Sequence, residues 1–222
     1  MLRRDQIMSQ NINQIIDTRN INEILHFTTS NGLLGVMSTG SLLAHSELSS
    51  EQRLSHILQI NCPDRSRDSA WHSYVNLSIS RVNGSFFSIA RNRWHAAKDI
   101  YWCILSFDPE ILTHENVIFS TTNNAYDATL RNKGSEGLEN LFSPAIRLFP
   151  TKITRRMDGT LSHHTTCNQA EVLYPIAVPL SYLKRVYVPS EDILHEAQAQ
   201  IAVCAPDLAD MIELMVAPEL FE

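Results

Sequence analysis

Polar and apolar positions alternate through residues 74–80 (YVNLSIS). Val75, Leu77 and Ile79 fall on one side and Asn76, Ser78 and Ser80 on the other, the period of a half-buried strand. Residues 101–107 (YWCILSF) form a continuous apolar run of strand length, which places that strand centrally. Shorter strands are expected at 117–121 (VIFST), 171–178 (EVLYPIAV) and 184–188 (KRVYV). A helical pattern covers 10–18, and Leu33, Leu34, Val36 and Met37 form a short amphipathic helix stopped by Gly40. Residues 49–60 read as a helix capped by Ser49 or Ser50, with Leu54, Ile57 and Leu58 on one face. Asp108 and Pro109 start a helical turn over 108–112, and Ser190 caps a helix over 190–203. The last stretch, PDLADMIELMVAPELFE, reads as one more acidic amphipathic helix. Residues 122–168 look mostly irregular and polar, a length that is usually functional or mobile.

Helices therefore cluster early and late around five or so short strands, which is α+β rather than a regular α/β alternation. No G-x-G-x-x-G follows an expected strand, so a Rossmann dinucleotide site is not supported. The organisation expected is one domain over residues 1–190 and an acidic helical tail, 191–222, packed on it or appended to it. No run of eighteen apolar residues exists, and the start MLRRDQIMSQ lacks the apolar stretch of a secretory signal. Four scattered cysteines without a C-x-x-C pair fit reduced thiols in a cytoplasm.

The net charge of −6 conceals an asymmetry. Residues 191–222 hold eight acids and no Lys or Arg, which leaves +2 for residues 1–190. Arg81, Arg91, Arg93 and Lys98 occur over 81–98 without one acid, and Arg147, Lys152, Arg155 and Arg156 form a second basic stretch. Phosphates respond to a local field, so a basic groove on an acidic chain can bind nucleic acid; two solvated loops are the plainer reading. Phe86, Phe87, Trp94, Tyr101 and Trp102 lie in or beside the first stretch. Phe86 and Trp94 are the better contact candidates, because stacking aromatics mixed with Arg and Lys suit a single strand. His163, His164 and Cys167 give H-H-x-x-C, but no partner pair of sensible spacing accompanies them, so no metal is expected. Glu171 opens an otherwise apolar strand directly after the long polar loop, where a carboxylate is either half-exposed or part of a site.

Several segments resemble the DarT family of DNA ADP-ribosyltransferases, the toxin half of a bacterial toxin–antitoxin pair. They are LHFTTSNGLLGVMSTGSLL (25–43), HSYVNLSISRVNGSFF (72–87), WCILSFDPEIL (102–112), VIFSTTNNAY (117–126) and NQAEVLYPIAVPLSYLKRVYV (168–188). They run in family order over roughly 20–190, with the tail outside the resemblance. The resemblance implies an ADP-ribosyltransferase-like split antiparallel sheet with flanking short helices, holding NAD in a cleft as co-substrate. It implies Glu171 as the catalytic glutamate and Arg81, in SRVNG where many relatives carry a proline-flanked arginine, as the essential arginine. His26 and Thr28 then contact NAD, with Asn83, Tyr126 and Gln169 as further cofactor candidates. The loop before Glu171 corresponds to the family's substrate-recognition loop. The expected DNA contacts are Phe86, Arg91, Arg93, Trp94, Lys152 and Arg155.

The implied reaction is transfer of ADP-ribose from NAD to a base in single-stranded DNA, since a base inside a duplex cannot reach such a cleft. The wording of YVNLSIS and TTNN is closer to the guanine-modifying branch than to the thymine-modifying one. A macrodomain antitoxin is the expected partner, and no membrane is implied. Three rivals remain: an ADP-ribosyltransferase acting on protein or RNA, an NAD-dependent tRNA 2′-phosphate remover, and a non-catalytic nucleic-acid-binding domain.

Overall fold

A computed structural model describes residues 12–49, 70–94 and 100–222, with only the backbone of Trp94. The helix expected over 49–60 lies from residue 50 onward outside the described residues, as does Lys98.

Helix α1 covers 12–19, and strand β1 (Ile24–Thr29) leads into α2 (Ser30–Thr39). Thr29 caps α2 by accepting from the Gly32 N–H, and Gly40 ends it at φ 70, in the left-handed region that a glycine adopts without strain. Then come β2 (Ser41–Leu43), β3 (Tyr74–Ile79), α3 (Gly84–Ile89) and β4 (Trp102–Phe107). They are followed by β5 (Ile118–Ser120), β6 (Arg131–Lys133), α4 (Gly134–Asn140), β7 (Ala145–Phe149) and β8 (Lys152–Arg155). β9 (Glu171–Pro175), β10 (Ala177–Pro179), β11 (Leu183–Val188), α5 (Glu191–Cys204) and β12 (Glu213–Val216) complete the chain.

Eight strands form one sheet in the order β12-β11-β4-β1-β3-β9-β5-β6, antiparallel except for the parallel β11–β12 pair. β1 and β4 are in register over six pairs, whereas β1 and β3 share only Ile24↔Ile79 and Leu25↔Ser78. The ladder stops there, so the sheet is split between β1 and β3, as the family resemblance implies.

Successive β4 side chains point to opposite faces, and both faces are covered. Cys103, Leu105 and Phe107 enter the larger core with Leu33, Met37, Ala197 and Ile201, while Trp102 and Ile104 pack with Leu25, Phe87 and Phe221. That double burial is why residues 101–107 read as an unbroken apolar run.

Residues 122–168 are mostly irregular, as expected, although they also contain β6, α4 and the β7–β8 hairpin. Two expectations need correction. EVLYPIAV is not one strand, because Ile176 at φ 65 divides β9 from β10, and β10 pairs with β2. The final stretch is not a helix: two short turns, Pro206–Leu208 and Pro218–Phe221, flank β12. The free edge of β11 decides this, since pairing with it satisfies the backbone of 213–216 and half-buries Leu214 and Val216 alternately. The expected helix over 190–203 is present as α5, with the Ser190 side chain accepting from the Ile193 N–H. Residues of 191–222 also enter the common core, among them Ala197, Ile201, Ala205 and Ile212.

Candidate active site

Glu171 is the first residue of β9, opposite Ser120 of β5. Its Oε2 accepts the Asn124 backbone N–H at 2.7 Å. Asn124 belongs to a buried polar turn between β5 and β6. There Thr122 N–H donates to Thr129 Oγ1 at 3.2 Å, and Ser120 Oγ donates to Thr122 O at 2.9 Å. A backbone donor and the Arg131 guanidinium both act on the Glu171 carboxylate.

Arg81 lies just past β3. Its own N–H donates to Ile79 O at 2.7 Å across Ser80, which sits at φ 57. That is a tight three-residue turn with a left-handed central serine, a strained geometry typical of functional positions. The turn sends Arg81 toward the loop before β9, where Nη2 donates to Thr165 O at 3.1 Å. Burial holds the Arg81 guanidinium below its ordinary pKa, opposed by the nearby Cys167. The loop is itself pinned: Arg156 Nη1 donates to His164 O at 2.7 Å, Thr165 Oγ1 to Cys167 O at 2.7 Å, and Thr166 Oγ1 to Ser143 O at 2.7 Å.

Five buried side-chain polar atoms among the described residues have no hydrogen-bond partner. Four belong to this neighbourhood: Ser80 Oγ, Arg81 Nε, Asn124 Nδ2 and Gln169 Oε1. Each such orphan costs about 1–3 kcal/mol, so their concentration here marks a place organised for something other than stability.

The structure gathers Glu171, Arg81 and Gln169 around the end of β3 and the start of β9. His26 and Thr28 lie on β1, across the split. His26 Nδ1 meets Asn76 O at 3.0 Å, bridging the strands where the ladder has stopped. Thr28 is only 7% exposed and lies under Gly32, where a Cβ would come within 1.9 Å of its Oγ1. Asn83 caps α3 by accepting from the Phe86 N–H at 3.1 Å, a structural use of its side-chain oxygen. Tyr126 packs its ring on Phe149 at 4.6 Å, on the flank toward the β7–β8 hairpin.

The expected DNA contacts separate into two groups. Phe86 sits on α3 with its ring 5.7 Å from Phe27. Arg91, in the turn of π-helix that follows, donates to Phe221 O at the C-terminus and lies 5.4 Å from the Phe87 ring. Arg93 is exposed, and the Trp94 side chain lies outside the described residues. Lys152 and Arg155 are exposed on β8, at the opposite flank.

His163 and His164 pack ring to ring at 4.6 Å, while the buried Cys167 Sγ meets Thr122 Oγ1 at 3.3 Å. Among the described residues no three His, Cys, Asp or Glu side chains gather as a metal site would require. No helix of the described residues is long and apolar enough to cross a membrane.

Asn124, Arg131 and Trp71 were not anticipated. Arg131 Nε donates to Asn124 Oδ1 at 2.6 Å, and its guanidinium lies 5.3 Å from the Trp71 ring. The available signal was the run of small polar residues, TTNN, between an apolar strand and an arginine.

Solved structures share this fold. DarT from Thermus sp. 2.9 in complex with carba-NAD+ matches at 14% identity and a TM-score of 0.64, over 90% of this chain and 98% of that one. The same protein in complex with ADP-ribosylated ssDNA matches at 14% identity and 0.64, over 91% and 97%. Thermosipho africanus DarTG in complex with ADP-ribose matches at 15% identity and 0.59, over 90% of this chain and 51% of that one. No match is found among curated proteins. The family model described as "ssDNA thymidine ADP-ribosyltransferase, DarT" spans residues 25–221, so the family pattern extends well beyond residue 190 into the acidic C-terminal segment. By that match over most of its length, the chain belongs to the DarT family of single-stranded DNA ADP-ribosyltransferases.

Proposed function

We propose that this chain transfers ADP-ribose from NAD to a base of single-stranded DNA, with Glu171 as the catalytic carboxylate and Arg81 as its cationic partner in the cleft. The observation that carries the proposal is the Glu171 carboxylate, held at 2.7 Å by the Asn124 N–H beside the partnerless Arg81 Nε and Gln169 Oε1. The Thermus relative supports it, since it is seen in complex with carba-NAD+ and with ADP-ribosylated ssDNA.

In the reaction the C1′–N bond of NAD breaks, and its electron pair passes to the ring nitrogen so that nicotinamide leaves neutral. A nitrogen of the base bonds to C1′ and loses its proton. Positive charge develops on the ribose in the transition state, and a fixed carboxylate stabilises it. Glu171 can also accept the proton from the incoming base. The planar fork of Arg81 suits a pyrophosphate or DNA phosphate, bound through two oxygens at once. His26, at the mouth of the split, can hydrogen-bond a ribose hydroxyl while neutral.

For the acceptor, the YVNLSIS and TTNN segments favour guanine, whereas the family description names thymidine. A bulky base adduct blocks replication, so a toxin role in the cytoplasm and a macrodomain antitoxin as partner belong to the same proposal. The deciding experiment incubates the protein and Glu171→Ala with NAD and single-stranded oligonucleotides, each lacking one base, and reads intact mass. A gain of one ADP-ribose with wild type only supports the proposal, and the oligonucleotide left unmodified names the base. NAD consumption without a mass gain moves the acceptor to protein or RNA. Absence of NAD turnover leaves a binding module.

A further inference from the structure

We propose that Arg131 is a positioning residue for Glu171, acting through the Asn124 backbone; the inference rests on the reading of Glu171 as the catalytic carboxylate. Arg131, Ser120 and Glu171 lie side by side in register across β6, β5 and β9. Directly paired residues share a face of the sheet, so all three project the same way, with the outer two separated by two strand spacings of about 5 Å each.

From that position the arginine grips the turn that touches the carboxylate. Nε donates to Asn124 Oδ1, and Nη2 to the carbonyls of Asn124 and, at 3.3 Å, Tyr126. Nη1 reaches Thr129 O at 3.5 Å, and the Trp71 ring lies near the guanidinium. One planar fork thus holds both acceptors of Asn124, whose N–H then points at Glu171 Oε2.

The turn does not need the arginine to close. Thr129, Thr122 and Ser120 already bond one another, and Asn123 accepts from both Tyr126 N–H and Ala125 N–H. What the fork adds is a hold on Asn124 by its side-chain amide and its carbonyl, together with a positive charge acting on Glu171. That hold fixes the residue whose N–H, part of the preceding peptide plane, meets Glu171. Asp127, on the same turn, is the acid that opposes that charge. On the far side Arg81 faces Cys167, with His164 and Arg156 behind it. A lysine carries the charge but cannot span these acceptors in one plane.

The test has two independent readouts on wild type, Arg131→Gln and Arg131→Lys. The first follows the Asn124 amide by nuclear magnetic resonance as pH is varied, since that amide senses ionisation of the carboxylate it donates to. In Arg131→Gln the midpoint moves upward by about one pH unit, because charge and alignment are both lost. The second is steady-state turnover. There kcat falls by about tenfold to a hundredfold in Arg131→Gln and stays reduced in Arg131→Lys, with the KM for NAD little changed.

A folded Arg131→Gln with an unmoved titration overturns the proposal, as does a displaced titration with unchanged kcat or full recovery in Arg131→Lys. If Arg131→Gln does not fold, Asn124→Ala removes only the Nε contact and must move the titration in the same direction by less; an unmoved midpoint overturns the proposal. Absence of turnover in wild type sinks the reading of Glu171 instead, and the amide titration still decides whether Arg131 sets its environment.

Discussion

The two halves of the sheet are built on different terms. In β12-β11-β4-β1 the central strand β4 is buried along its whole length, and the residues that fill it are almost all apolar. In β3-β9-β5-β6 the end of β5 and the segments joining the strands bury polar groups: Ser120, Thr121, Thr122, Asn124, Thr129, Thr165 and Thr166 are all at most 9% exposed. Hydrophobic burial is non-directional and tolerates any well-packed shape. A buried hydroxyl or amide must find a partner at hydrogen-bond distance, so it fixes geometry at a cost in stability. Apart from the β1 edge that carries His26 and Thr28, the first half therefore serves as the scaffold, and the second spends stability on aiming Glu171 and Arg81.

The contrast is broken most strongly from the scaffold side. Phe107, fully buried at the end of β4, should cost about 3–5 kcal/mol as Phe107→Ala, read by chemical denaturation. Turnover per folded molecule should stay near wild type; a large loss there would mean that the halves are not separable.

Arg81→Lys should do the opposite. Stability should hold or rise, because a partnerless buried guanidinium nitrogen is removed. Transfer to DNA should fall by about a hundredfold, since an ammonium cannot replace the fork. Equal activity of the two proteins would reassign Arg81 to structure.

A smaller effect comes from histidines. Burial lowers the pKa of His114, which meets Tyr174 Oη at 2.7 Å, below its ordinary 6.5, with Glu110 opposing. His164 is lowered by burial and then by Arg81, His163 and Arg156. Both are held neutral, so the unfolded chain binds more protons below about pH 6.5, where its histidines titrate. Stability should be full above that value and fall as pH drops through it toward the lowered folded values. Denaturation midpoints across pH 5–8 check this, and His114→Asn should flatten the slope.

The smallest effect is expected at the solvent edge. The Arg185–Glu213 ion pair joins β11 to β12 with both side chains partly exposed. Arg185→Ala should change stability by less than about 1 kcal/mol, because water screens such pairs. A larger loss would show that β12 depends on this pair rather than on its backbone ladder.

Legibility in the sequence follows the same division. β3, β4 and α5 could be read directly, since period two, unbroken apolarity and a serine cap are local consequences of where each residue sits. β12 could not: its helical appearance in the sequence yields to the free edge of β11, a partner some 28 residues away, as the Arg185↔Glu213 pairing shows. The same limit hid the break at Ile176, beyond which β10 pairs with the distant β2; the β7–β8 hairpin is a local pair whose exposed, mixed residues carry no clear alternation.

By itself the sequence determined the α+β class, the central strand and, through family resemblance, Glu171 and Arg81 as the residues of interest. Only the tertiary structure decided that the acidic segment completes the sheet. It also decided that Arg131 and Asn124 surround the carboxylate. Those assignments depend on hydrogen bonds between residues up to 47 positions apart, such as Asn124 to Glu171, and no local pattern encodes such a distance.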